Sequence, residues 1–129
     1  MKSGNKGVFV VENKEATEQA IDRIKKIIRT TLGQTKQLKE QKGEDNHPSE
    51  LCKDIITNLF LLIKTVDKNR KTTLSKDLDY LYKHCLFAVV RVRDNKDYGF
   101  LDGCISVLDE ITEGWERVGV AIKKAPAFG

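Results

Sequence analysis

The chain has 129 residues, of which 40% are hydrophobic and 33% charged, and it carries a net charge of +4. That size and apolar content suit one domain with one core and exclude a disordered polymer. The mild excess of Lys and Arg alternates with Asp and Glu, as in D-R-I-K-K and K-Q-L-K-E. Such alternation describes solvated helix faces rather than the concentrated cationic face of a nucleic-acid binder.

Residues 1–14 carry Gly4, Gly7 and the V-F-V-V patch at 8–11, and read as an extended arm with one sticky segment. Four apolar residues fall short of the roughly 7–15 of a signal-peptide core. No run approaches the ~20 residues of a membrane span, so neither secretion nor membrane insertion is expected and the chain reads as cytoplasmic. Only two prolines occur, at 48 and 126, which leaves nearly the whole chain free to be helical.

A first helix is predicted over 15–41, with Ala20, Ile24, Ile27, Ile28, Thr31 and Leu38 on one face. The cluster K-G-E-D-N-H-P-S at 42–49 is a turn, where Gly43 can close one helix and Ser49 can cap the next. A second helix is predicted over 50–66. Its F-L-L-I run wraps past the arc of a little over 100° that a bundle helix needs, which reads first as a central helix covered by its neighbours and, alternatively, as one flank lining a groove for a partner. D-K-N-R-K-T-T at 67–73 is the next connection, with Thr73 or Ser75 as a cap.

The third and fourth helices are predicted over 74–92 and 98–123, separated by R-D-N-K-D. Apolar residues recur at 74, 78, 81, 82, 85, 89 and 92, then at 101, 104, 105, 108, 111, 115, 118 and 122. Steps of three and four put each series on one helix face. Trp115 follows the apolar phase, as does Tyr82 with Leu78 and Leu81, whereas Tyr80 lies about 200° from Tyr82 and turns outward. Long helices with short connections predict an all-α, antiparallel up-and-down four-helix bundle with an extended N-terminal arm, the bundle covering 15–124 and a tail 125–129.

Groups for chemistry are missing. There is no phosphate-binding glycine loop and no H-E-x-x-H. His84 beside Cys85 lacks the spacing of a zinc site, and adjacent helical residues diverge by about 100°, which disfavours a Cys-His nucleophile. Asp77, Asp79, Asp109 and Glu110 fall on outer faces without signs of burial. Cys52, Cys85 and Cys104 read as buried free thiols of a reducing compartment. No catalytic residue, metal or cofactor is expected, and the chain reads as a protein that holds a partner.

The same residues resemble the flagellin-specific export chaperone family, FliS. Val66-Asp67 matches the Leu-Asp that ends the family's second long helix, and Leu78, Leu81 and Tyr82 match its Leu-x-x-Leu-Tyr. Asp97 matches the Asp that opens the last helix, and Leu101, Ile105, Leu108, Ile111 and Trp115 match that helix's apolar series. The first long helix reads A-I-D-R-I-K-K-I-I-R, without the family's usual Leu-Tyr-x-Gly. The resemblance implies a cytoplasmic chaperone that binds the disordered carboxy-terminal segment of flagellin, prevents premature polymerisation and delivers the subunit to the export gate. It implies helix-in-groove recognition and an amino-terminal segment covering the groove, with Val8 and Phe9 as the plug.

Leu61, Leu62, Tyr80, Leu86, Val90 and Phe100 are the groove candidates, each apolar yet off the main core stripe. Leu78, Leu81, Tyr82, Leu101, Leu108 and Trp115 are the core anchors. A monomer or weak dimer is expected. The alternatives are a FliS-like paralogue or homodimeric module with a different client, and a small basic nucleic-acid-binding bundle resting on Lys25, Lys26, Arg29, Lys36 and Lys39.

Overall fold

The structure is a computed structural model that describes residues 6–44, 47–66 and 73–124, with side chains for 18–44, 47–66 and 74–117. Four helices follow one another: α1 (Lys6–Glu40), α2 (Ser49–Thr65), α3 (Thr73–Asn95) and α4 (Leu101–Lys124). Each helix packs against its sequence neighbours, and α1 closes the ring against α4. Lys39 reaches Asp102 and Arg29 reaches Glu116, so α1 and α4 run antiparallel. The predicted four-helix bundle is the fold.

Its core is built from the three-and-four series. Ile28 and Leu38 of α1 and Ile55, Leu59 and Leu62 of α2 are fully buried. So are Val89 and Val92 of α3, and Cys104 and Leu108 of α4. Tyr82 and Leu101 are 1% exposed. Leu78, Leu81 and Trp115 are partly buried against this cluster. Two threonines of α1 are fully buried, and helical geometry satisfies them: Thr31 Oγ1 donates to the Ile27 carbonyl and Thr35 Oγ1 to that of Thr31, each at 2.7 Å.

Several boundaries differ from the sequence reading. The segment expected as an extended arm is, from Lys6 onward, the start of α1. No helix breaker separates residues 8–16 from the strong pattern after them. Adding turns to a formed helix costs far less than nucleating one. Pro48, and not Ser49, is the N-cap of α2, without a side-chain cap bond, and Ser49 is already helical.

Gly43 takes φ +88 after the last turn of α1, the left-handed conformation glycine adopts without penalty. The break between α3 and α4 falls at 96–100, because Arg93, Asp94 and Asn95 continue α3. Lys96 ends that helix with φ 53, while the Lys96 and Asp97 amides donate to the carbonyls of Val92 and Arg91. A non-glycine residue in that region costs about 1–2 kcal/mol.

Candidate functional site

Helix α4 offers two flanks beside its core stripe. Asp102 and Glu116 lie on the flank toward α1. Lys39 Nζ is 2.7 Å from Asp102, Lys25 Nζ is 3.7 Å from Glu116, and Arg29 pairs with the same carboxylate. Both carboxyls are held below the ordinary carboxylate value, Asp102 by the Lys39 hydrogen bond and Glu116 by that from Arg29. Three of the five basic residues of α1 that suggested a nucleic-acid surface are therefore engaged by α4.

The opposite flank, with Gly103, Val107, Glu110 and Gly114, turns toward α3 by helical phase. Here the seam is open. A groove of about 380 Å³ has Leu74, Leu78 and Leu81 of α3 on one wall and Ile111 and Trp115 of α4 on the other. Gly114 leaves its side unfilled, since a Cβ built there meets no atom within 4 Å. Asp77 and Glu110, both exposed, form the rims. Behind Trp115, the buried Tyr82 hydroxyl finds no hydrogen-bond partner of normal geometry. Burial pushes that phenol up to about 12, with the Trp115 indole opposing the shift.

Beyond the Asp77 rim, α3 carries further exposed apolar side chains. Tyr80 is 70% exposed, and Phe87, two turns later on that face, is 48% exposed. Phe87 meets Phe100 edge to face, with ring centroids 5.1 Å apart at 70°. The Arg91 guanidinium sits 6.0 Å from the Phe100 ring centre and donates to Asp97 Oδ2 at 2.8 and 3.2 Å. Asp97 Oδ1 accepts the Gly99 amide at 2.9 Å. The Gly99 and Arg91 bonds together hold the Asp97 carboxyl below its usual range. This clasp fixes the loop carrying Phe100. From Leu74 to Phe87 the strip runs about 20 Å at 1.5 Å per residue, enough for roughly four turns of a docked helix.

The groove candidates read from sequence separate into different places. Tyr80 and Phe100 belong to the α3/α4 face. Leu86 and Val90 are half-buried on the other side of α3, toward α2, where helical phase sets them near Ile56 and Phe60. Leu61, 44% exposed, points away from the core. Leu62 is not a groove residue: it is fully buried, because it stands three positions from Leu59 on the core arc. Of the core anchors, Tyr82, Leu101 and Leu108 are buried, whereas Leu78, Leu81 and Trp115 also show an edge to the groove.

Sequence reasoning passed over Phe87, Leu74, Asp77, Glu110 and Gly114 as site residues. The seven-residue step from Tyr80 to Phe87, and small residues on one flank of α4, were the available signals. The side chains of Val8 and Phe9, and Asp67 of the Val-Asp pair, lie outside the described residues.

Other chemistry is sparse. Cys52, Cys85 and Cys104 are free and buried. A hydrogen bond with Cys85, then burial, pushes the Cys104 thiol up; burial does the same for Cys52. Raised thiol pKa values mean inert sulfur. Asp79 is less exposed than its outer-face placement implied: Oδ2 pairs with Lys83 at 2.8 Å while Oδ1 is buried without a partner. Among the described residues no group of three or more His, Cys, Asp or Glu could hold a metal, and no helix is long and apolar enough to cross a membrane.

The protein is thus an antiparallel helical bundle with one ion-paired seam, α1/α4, and one open apolar seam, α3/α4. The family model described as flagellar protein FliS matches residues 17–122, most of the chain, and the protein belongs to that family. Its general role is accordingly that of a flagellar export chaperone. No curated protein and no solved structure matches the chain.

Proposed function

We propose that this protein binds the disordered carboxy-terminal segment of flagellin in the cytoplasm, prevents its premature polymerisation and hands it to the export gate. The observation that carries the reading is the apolar surface on the α3/α4 side, made of the groove between Leu74 and Trp115 and, beyond it, the exposed Tyr80 and the Phe87–Phe100 pair. Ordering a disordered client costs about 2–5 kcal/mol or more, and association costs a further ~4–15. At ~25 cal/mol per Å² of buried apolar surface, recovering that takes roughly 250–800 Å². One aromatic anchor buries about 150–250 Å². The client must therefore engage most of the strip as an amphipathic helix with anchors at i, i+3, i+4 and i+7.

Calorimetric titration with a flagellin carboxy-terminal peptide from the same organism tests this. Sub-micromolar one-to-one binding with a strongly negative heat-capacity change is expected, and absence of heat at several temperatures would defeat the reading. Tyr80→Asp, at a highly exposed site, should leave the helical content intact and weaken binding at least tenfold. In the same reading the segment with Val8 and Phe9, helical as the start of α1, leaves that helix to cover part of the groove in the unloaded protein. Removal of residues 1–12 then strengthens client binding, and unchanged or weaker binding counts against that cover. Light scattering on the free protein should show a monomer or weak dimer, since a tight dimer would hide the strip.

A further inference from the structure

The α3/α4 groove carries a charge signature as well as an apolar one. In a chain with net charge +4, its lining includes two carboxylates, Asp77 from α3 and Glu110 from α4, and no basic side chain. Neither carboxylate takes part in an ion pair among the described residues, whereas Asp79, Asp94, Asp97, Asp102 and Glu116 all do. Between the two rims the groove wall opens at Gly114, where an added Cβ would meet no atom within 4 Å and a longer side chain would extend into the groove. The space beside Trp115 thus suits a large apolar side chain, and the mouth suits a cation standing one helical turn from it.

Resting on the chaperone reading above, we propose that this groove selects a client helix that places a large apolar residue over Gly114 and a Lys or Arg three or four residues away, between Asp77 and Glu110. Residues so spaced share one helix face, so anchor and cation enter together. The apolar contact supplies affinity. The exposed ion pairs, each modest and screened by salt, supply choice of register and partner.

Two synthetic amphipathic peptides test this, identical in their Leu positions and differing only in Lys or Glu flanking the central anchor. The Lys peptide should bind about tenfold more tightly at low salt, with the preference shrinking as salt rises. In the doubly substituted Asp77→Lys/Glu110→Lys protein the preference should reverse; both sites are exposed, so folding is spared. Gly114→Leu should weaken both peptides at least tenfold while its thermal midpoint stays level or rises.

Equal binding of the two peptides, no binding of either, a preference that survives charge reversal, or indifference to Gly114→Leu would each overturn the proposal. A flagellin carboxy-terminal peptide, titrated in parallel, separates the two levels. If it binds the unaltered protein and ignores these variants, the selective groove is wrong and the chaperone reading stands. If it fails to bind while the Lys peptide is preferred, the client is another protein and the groove chemistry stands.

Discussion

The two flanks of α4 face neighbouring helices and are finished differently. Toward α1, Asp102 and Glu116 are matched by Lys39, Lys25 and Arg29, and the helices lie close along their length. Toward α3, glycines replace bulk, the helices pack least closely, and aromatic and aliphatic surface stays in water. A seam whose polar groups find partners within the chain has no further valence. A seam that leaves apolar area exposed retains binding free energy for a second molecule. One helix thus serves as a structural member on one side and a recognition surface on the other.

The severest way to break this contrast is to remove what both flanks share. Leu108 is fully buried beneath the two seams, and Leu108→Ala should cost about 2–5 kcal/mol in denaturant unfolding, with stability and client binding failing together. Tyr82 probes the core behind the open seam alone. Folding holds its phenol neutral and raises its value from 10.0 to about 12. Its contribution is therefore complete below pH 10 and is lost as pH rises toward 12, on the order of 2 kcal/mol. Tyr82→Phe should abolish that alkaline loss. At pH 7 it should be neutral or slightly stabilising, because it deletes a hydroxyl that has no partner.

A smaller effect comes from the loop that positions Phe100. Lys96→Gly relieves a left-handed backbone and should raise stability by about 1 kcal/mol. Unchanged stability would mean that glycine's freedom in the unfolded chain cancels the gain. The smallest effect belongs to the exposed ion pairs, those of the closed seam and of the Asp97 clasp. Glu116, Asp102 and Asp97 have lowered values, so their stabilisation is present above the ordinary carboxylate range of 3.8–4.5 and disappears as pH falls through the lowered values. Thermal midpoints should be flat from pH 6 to 8 and decline below about 4. Glu116→Gln should reduce that acid decline with little change at neutral pH, as exposed pairs contribute little.

The identity of Trp115 illustrates how far periodicity alone reaches. Its place in the 101–115 series puts it on the apolar arc of α4, and there it is, packed against the core. Periodicity could not show that one edge of it would stand in a groove, because that depends on Gly114 beside it and on Leu74 and Leu78 across the seam. Leu62 is the converse case. It belongs to a run, F-L-L-I, in which sequence cannot say which leucine lies inside; the choice between Leu61 and Leu62 is a difference of one helical step, 100° of rotation. Leu86 and Val90 are half-buried on α3, whereas Tyr80 on the same helix is 70% exposed, a difference set by which neighbours cover each flank.

By itself, then, the sequence determined the helical series, the turn at Gly43 and the burial of Tyr82, Leu101 and Leu108. Each of these follows from local periodicity, backbone preference and composition, which do not depend on neighbours. Only the tertiary structure decided which flank of each helix stays uncovered, that Lys25, Arg29 and Lys39 face acids on α4, and that Asp77 and Glu110 come together around Gly114. Those outcomes depend on which helices lie side by side and at what height, relations between segments distant in the chain that a pattern along one helix does not encode.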